Sequence, residues 1–201
     1  CAGLMVGLII CGWTSQSRAE GTEPPRVREF VRAWTVTDLR PDLHLIGAGR
    51  SFENGEKLFK STNCEQCHRI NQTGGILGPD LTGVSKRISR AILLREIIEP
   101  SKQITDEYQS HTFLTLEGEM HQGRIVRQDA KFVYLASNST KPDELLKIPL
   151  DEIKEKTPSP VSAMPSGLID MLTKVQILDL LAYIESGGQE DHPAFDPVEE
   201  Q

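Results

Sequence analysis

The sequence predicts a mainly α fold into which a small antiparallel β meander is inserted. Three stretches combine helical periodicity with a side chain that can cap the first turn. Between the second and third of these stretches, the pattern changes to short alternating segments separated by turn residues. A chain of 201 residues is long enough for one domain of ordinary size with such an insertion.

Each predicted helix has a start signal, and two of them also have a stop signal. The helices are residues 52–60 after Ser51, residues 90–98 after Ser89 and before Pro100, and residues 174–186 after the capping-box pair Thr173 and Gln176 and before Gly187. Gly55 on the first helix and Tyr183 on the last can face each other. A glycine opposite an aromatic ring predicts a close crossing of these two helices.

The meander is predicted over residues 108–157. Four short strands alternate apolar and polar residues and are joined by turns, the first at Glu117-Gly118 and the second near Gln128-Asp129. Such a meander can curl into an SH3-like barrel. His111 and His121 lie on these strands, where histidines are more often exposed residues than metal ligands.

The strongest motif is Cys64-Glu-Gln-Cys67-His68, directly after the first helix. A zinc site would need further ligands. Cys1 and Cys11 lie in an apolar N-terminal stretch, and the other histidines form no closely spaced pair. A thioredoxin-type site remains open, although no βαβ pattern surrounds the motif. The spacing favours c-type haem, because two thioether bonds fix the macrocycle while the next imidazole reaches the iron.

The two ends of the chain have compositions of their own. Residues 1–19 resemble a signal peptide, with an apolar run and small residues near Ala19, although a buried helix of an upstream domain would look similar. Residues 20–49 read as a linker with a short helix, and residues 189–201 as an acidic, disordered tail. The domain itself is therefore placed at residues 50–188, and the chain is expected to be exported to the periplasm or another extracytoplasmic compartment.

The charge of the chain limits its partners. The formal net charge is −7, with 22 basic and 29 acidic residues. This balance argues against nucleic acid and anionic lipid as partners, so a membrane is expected to be involved only through a signal or anchor segment.

Several stretches together resemble a known family. "NGEKLFKSTNCEQCHRI", "GPDLTGVSKR" and "SAMPSGL" followed by "LTKVQILDLLAYIES" are similar to class I cytochrome c. More narrowly, "CEQCHRINQTGGILGPDLTGV", "IIEPSKQITDEYQ" and "MPSGLIDMLTKVQILDLLAYI" resemble the bacterial haem-binding domain family often fused to large propeller-type dehydrogenase-like proteins. The resemblance covers residues 50–186. The sequence shows no large catalytic domain before it, so either the module stands alone or that part is missing.

The resemblance implies one covalently attached haem c and a role for each site residue. Cys64 and Cys67 are the attachment points, His68 is the proximal iron ligand, and the carbonyl of Pro79 accepts a hydrogen bond from its imidazole. Met164 is the distal ligand. Met120 and Met171 are poorer candidates, since the first lies in a predicted strand and the second close to the last helix.

The function implied is transfer of single electrons between exported redox partners, for example with a periplasmic dehydrogenase. The chain would then be an electron-transfer protein, or the electron-accepting domain of a dehydrogenase, rather than an enzyme itself. Two alternatives stay open: a haem enzyme or gas or peroxide sensor with a labile distal ligand, and an interaction module built on the β insert with haem as a structural staple.

Overall fold

A helical layer and an antiparallel sheet make up the computed structural model, which describes residues 29–138, 141 and 144–198. The α-helices are α1 (Val36–Leu39), α2 (Phe52–Ser61), α3 (Cys64–Cys67), α4 (Arg90–Ile98) and α5 (Lys174–Ser186). Short 3₁₀ helices cover Arg40–Gly47, Val84–Lys86, Asp106–Tyr108, Leu150–Glu152 and Pro193–Phe195. The strands are β1 (Arg69–Ile70), β2 (Thr73–Gly74), β3 (Ser110–Thr115), β4 (Met120–Gln128), β5 (Phe132–Ala136), β6 (Leu146–Pro149) and β7 (Ile153–Pro158).

The predicted helix starts are confirmed by the capping contacts. The Ser51 hydroxyl accepts a hydrogen bond from an amide in the first turn of α2, and Ser89 does the same for α4. Thr173 and Gln176 form a complete capping box at α5, which ends at Gly187 in the left-handed conformation. These contacts involve residues three positions apart, so the sequence alone identifies them.

The predicted close crossing of α2 and α5 is also confirmed. A Cβ atom on Gly55 would lie 2.5 Å from the Asp179 carbonyl oxygen and 2.7 Å from the Tyr183 Cβ, so only glycine fits without movement. The Phe59 and Tyr183 rings pack nearby with centroids 5.6 Å apart. The crossing therefore brings the chain immediately before α3 against the central helix of the fold.

Helix α5 lies at the centre of the helical core, since every residue from Ile177 to Ile184 is buried. Its one buried carboxylate, on Asp179, accepts hydrogen bonds from the Ser51 amide at 3.3 Å and from the Asn54 side chain at 2.8 Å. Arg50 lies 3.7 Å from the same carboxylate. These partners compensate for burying a charge, and they fix the start of α2 against α5.

The sheet contains five antiparallel strands in the order β6-β5-β4-β3-β7. Its own apolar cluster consists of Phe113, Val133, Leu135 and Ile148. Strand β7 returns after the 3₁₀ turn at Leu150–Glu152 and pairs with β3, with Phe113 opposite Lys156. The four strands expected from the sequence are present, and β7 is a fifth.

The prediction of a mainly α fold is wrong. The five described α-helices are short, from 4 to 13 residues, and they stand beside a five-stranded sheet with a separate apolar cluster. In the sequence, the strands look like a minor insertion into a helical domain. Because the sheet has a buried apolar cluster of its own, it forms a second structural layer beside the helices. The fold therefore combines α and β elements.

The segment before α2 contributes to the helical core, although a linker with a short helix was expected there. Leu39 and Ile46 are fully buried, and Leu43 is nearly so. Apolar residues spaced along α1 and the following 3₁₀ helix place these side chains against α4 and α5. The described part of this segment is therefore packed structure.

The acidic tail is also ordered where the structure describes it, in contrast to the expected disorder. Ala194 is buried, and the Phe195 ring meets the Phe52 ring edge-on with centroids 5.3 Å apart. The amides of Gly49 and Arg50 donate hydrogen bonds to tail carbonyls at 2.8 and 2.9 Å. The count of acidic residues did not reveal these apolar and backbone contacts.

Two sequence predictions concern residues that lie wholly or partly outside the described ones. The signal-peptide-like segment, residues 1–19, lies wholly outside them, as do residues 20–28 of the expected linker. Within the part of the chain that is described, none of the helices has the length and apolar character needed to cross a membrane.

Candidate haem site

The two cysteines of the motif lie on the single turn of α3. The chain enters this turn through Asn63, whose backbone is left-handed with φ 64°. The turn is closed by a hydrogen bond from the His68 amide to the Cys64 carbonyl, 2.9 Å long. Both thiols are free and partly exposed. One short turn therefore presents two unpaired thiols and places an imidazole directly after them.

Burial raises the pKa of both thiols, and burial is the largest cause for each. For Cys64, a hydrogen bond with Thr62 opposes the effect, with Sγ and the hydroxyl oxygen 3.2 Å apart. The Thr62 hydroxyl also lies 2.8 Å from the Leu58 carbonyl, to which it donates. The cysteines are thus protonated at neutral pH and carry little thiolate character.

The imidazole of His68 is held at one nitrogen. Its Nδ1 lies 2.9 Å from the Pro79 carbonyl oxygen, which can only accept a hydrogen bond, so Nδ1 carries the proton. Burial lowers the pKa of His68 and outweighs the opposing effect of this hydrogen bond. The ring is therefore neutral at pH 7, and the Nε2 lone pair is left for a metal ion.

Gly78 closes one side of the same imidazole. A Cβ atom at this position would lie 2.5 Å from Cε1 of the His68 ring, so the backbone packs directly against the ring. The Gly78 amide donates a hydrogen bond to the Cys67 carbonyl at 2.8 Å. The loop from Gly78 to Pro79 thus fixes both the position and the tautomer of the imidazole. The sequence gives no role to Gly78, although the Gly-Pro-Asp triplet marks this loop.

Further contacts hold this loop on the helical layer. Asp80 pairs with Arg69 at 3.0 Å and accepts a hydrogen bond from the Thr82 amide at 2.8 Å. Arg87 donates a hydrogen bond to the Asp80 carbonyl. From the sheet, Arg124 donates a hydrogen bond to the carbonyl of Ile76, which the sequence analysis did not anticipate.

Met164 lies on the loop between β7 and α5. Its side chain is partly buried against the helical core, and its amide donates a hydrogen bond to the Ser162 hydroxyl at 3.1 Å. The other two methionines in the described chain are more open to solvent: Met120 is 75% exposed and Met171 48% exposed. Of these three methionines, Met164 is the one whose side chain packs against the helical core.

The donor set fits a covalently attached haem. Such a group requires two free thiols on one helical turn and a neutral imidazole with an unengaged Nε2, and the chain provides both. The Gly78 backbone packs against the ring and holds it in place. Among residues 29–138, 141 and 144–198, no group of three or more His, Cys, Asp and Glu side chains is placed to hold a metal ion by itself.

Comparison with known families points the same way. The cytochrome c family model matches residues 52–134, a stretch that contains α2, the whole CxxCH motif and α4. The match indicates a cytochrome c-type domain. A search of curated proteins finds no match for this chain.

The cytochrome c match has direct chemical consequences. Proteins of this family carry haem c, covalently attached and containing iron, and Cys64 and Cys67 stand in the positions of such a CxxCH attachment site. Haem binding and electron transfer are the general functions of the family, and its domains are typically extracytoplasmic. Met164 and α5 lie beyond the matched residues.

Proposed function

We propose that this chain is a monohaem c-type cytochrome module that transfers single electrons between exported redox partners. The observation that carries the proposal is the His68 environment: a neutral imidazole, fixed through Nδ1 by the Pro79 carbonyl, directly after two free thiols on one helical turn. Haem, when bound, supplies a one-electron iron couple. The residues of the chain attach it, orient it and shield it.

Each site residue has a proposed task. Cys64 and Cys67 form the thioether bonds, and His68 is the proximal ligand. The Pro79 carbonyl keeps the imidazole in one orientation and increases its basicity through the hydrogen bond at Nδ1. Met164 provides the distal thioether, a soft ligand that favours the reduced state and raises the reduction potential. No acid or base in the site is required for this function.

The redox partner, the compartment and the domain bounds are also proposed. The narrower resemblance, to haem-binding domains that accompany dehydrogenase-like proteins, supports a periplasmic dehydrogenase as electron donor. The signal-peptide-like residues 1–19 support export, which covalent haem attachment requires. The sequence places the domain at residues 50–188, and we extend it on both sides, because Leu39, Ile46 and Ala194 are buried in the same core.

Covalent attachment is tested by haem staining on a denaturing gel, after export in a host with haem-attachment machinery. The wild type is expected to stain. Cys64→Ala and Cys67→Ala should each weaken the stain, because one thioether bond is lost, and the double variant should abolish it. A wild-type protein that is exported and folded but unstained would refute the proposal.

Distal ligation is tested with Met164 variants. Met164→Ala removes the sulfur, so the iron should become partly high-spin, bind carbon monoxide when reduced, and show a lower potential. Met164→His should stay low-spin with a lower potential, because imidazole favours the oxidised iron more than thioether does. Met171→Leu, similar in bulk and about half exposed, is the silent control. Fast, tight carbon monoxide binding by the wild type would instead show a labile distal position and support a haem enzyme or sensor.

A further inference from the structure

The segment just before α1 is hydrogen-bonded to the loop that carries Met164. The amides of Val31 and Arg32 donate to the Asp170 carbonyl at 2.9 and 3.2 Å. The Trp34 amide donates to the Asp170 carboxylate at 3.1 Å, and the indole Nε1 donates to the Leu172 carbonyl at 2.9 Å. Residues 31–34, called the strap below, are thus joined by four hydrogen bonds to a loop more than 130 positions away.

The strap is itself anchored at its far end. Thr35 and Asp38 form a capping box at α1, and Leu39 of that helix is fully buried. Arg32 lies over the Trp34 ring at 4.8 Å and pairs with Asp38 at 3.1 Å. The indole also packs on the helical core. Because the strap is fixed at this end, it can limit the movement of the loop instead of moving with it.

Beside Met164, the loop is held by the Ser162 amide, which donates a hydrogen bond to the Ser101 hydroxyl at 3.0 Å. Its later part is held by Ile169 and Leu172, which are 3% and 1% exposed. Pro165, Ser166 and Gly167, directly after Met164, are exposed. A cavity of about 210 Å³ lies between the strap and the loop, lined by Trp34, Ile98, Ser166, Gly167, Ile169 and Asp170. The loop therefore has room to shift if the indole stops holding it.

We propose that Trp34 and Asp170 are positioning residues for the distal ligand. They hold the Met164 loop in the one arrangement that keeps the thioether on the iron. The inference rests on the proposed function, since it takes Met164 as the distal ligand. Neither residue supplies an atom to the iron. They lower the rate at which the Met164 sulfur dissociates from the iron. A shift of the loop by about 1 Å is enough to break this bond, because the bond needs close approach.

The first test is Trp34→Phe in the full haem-loaded protein. Phenylalanine keeps an aromatic ring and the backbone amide but removes the Nε1 donor, without changing the charge. The rate at which added imidazole displaces the methionine from the oxidised iron should rise about fivefold to tenfold, the factor that one hydrogen bond contributes to an equilibrium. The near-infrared sulfur-to-iron band should weaken, and the potential should fall.

The second test separates the acceptor from its charge. Asp170→Ala removes the acceptor of the Trp34 amide, so imidazole entry should accelerate as in Trp34→Phe. Asp170→Asn keeps an acceptor oxygen and should leave both the imidazole rate and the near-infrared band near those of the wild type. A change of potential relative to the wild type does not separate the two roles, because each variant removes a negative charge and charge alone shifts the potential.

Thr35→Val is the matched control. It weakens the cap of α1 and so destabilises the same segment, yet it leaves the bonds to Asp170 and Leu172 in place. Its imidazole rate should equal that of the wild type. If Trp34→Phe and Asp170→Ala also keep the wild-type rate and band, the positioning role is wrong while Met164 ligation stands. A wild type without the band would overturn Met164 ligation, and the positioning role with it.

Discussion

At the scale of single residues, His68 is constrained from two directions by one loop. The Pro79 carbonyl accepts a hydrogen bond from the protonated Nδ1, and the Gly78 backbone lies against the ring. Neither contact depends on a charged group, so the arrangement is insensitive to pH over the range in which the imidazole is neutral. The loop thereby does two tasks that would otherwise need separate side chains, namely selecting the tautomer and fixing the ring plane.

Gly78→Ala tests the steric half of this arrangement. The added methyl would lie 2.5 Å from Cε1 of His68, so either the ring or the loop must move. Such overpacking costs about 1–3 kcal/mol, and disturbed support of a ligand typically weakens a metal site about 10- to 100-fold. We expect a partly high-spin spectrum and a shifted potential. Gly47→Ala is the control, because nothing lies within 4 Å of its added Cβ. A Gly78→Ala protein with a wild-type spectrum and potential would show that ring orientation does not depend on this contact.

At the scale of elements, the local features were predictable and the long-range ones were not. Three helix starts could be predicted from their capping residues, because a cap and its helix are neighbours in sequence. These residues are Ser51, Ser89 and Thr173. Strand β7 was missed because five of its six residues are exposed, so it has no alternating apolar pattern and owes its place to pairing with β3.

The same distinction applies to the site. The motif at Cys64, Cys67 and His68 is contiguous, and the Pro79 contact spans only eleven positions. The bonds between Trp34 and residues 170–172 span more than 130 positions. They depend on how α1 packs on α4 and on how the following 3₁₀ helix packs on α4 and α5. No local pattern encodes such a contact, so it could be found only in the folded structure.

The crossing of α2 and α5 gives a prediction for stability. Gly55→Ala should gain up to about 1 kcal/mol in helix propensity. The new Cβ would, however, lie 2.5 Å from a backbone carbonyl of α5, which cannot rotate away. We therefore expect a net loss of about 1–3 kcal/mol in the free energy of unfolding, measured with denaturant. Gly47→Ala should be neutral or slightly stabilising. A stabilised Gly55→Ala protein would mean that the two helices can separate at little cost.

The sheet gives a prediction for pH dependence. Burial, and secondarily Lys156, lowers the pKa of His111, and its buried Nδ1 has no hydrogen-bond partner among the described residues. The unfolded chain, with an ordinary histidine pKa of about 6.5, then takes up the proton first as pH falls. The stability contributed by neutral His111 is present above that value and is lost as pH falls below it.

Replacing His111 should flatten this dependence. In His111→Gln, the free energy of unfolding of the haem-loaded protein should change less between pH 7 and pH 5 than in the wild type. Its visible spectrum should stay unchanged, since His111 is not expected to bind iron, and His121→Gln serves as a second spectral check on the neighbouring strand. A lost low-spin spectrum in either variant would show that the proposed iron ligands are wrong.

At the scale of the whole molecule, charge governs how partners approach. The net charge of −7 gives the molecule a field that attracts cations and repels anions over roughly 8 Å at physiological salt. Basic side chains lie close to the site, however: Arg69 pairs with Asp80, and Arg124 reaches the carbonyl of Ile76. Electron transfer through a bound haem would respond to the local field around it, so its salt dependence can distinguish the effect of the overall charge from that of the local charge.

The measurement is the rate of electron transfer with small reagents of opposite charge as ionic strength rises. If the overall negative field dominates, oxidation by a cationic cobalt complex should slow with added salt, whereas oxidation by ferricyanide should accelerate, because screening removes attraction in the first case and repulsion in the second. The salt dependence of the rate is measured for each reagent separately, so the different reduction potentials of the two reagents do not affect the comparison. Reversed slopes would mean that the arginines near the His68 loop set the local field, and the natural partner would then present an acidic surface. Slopes as expected would instead favour a basic partner.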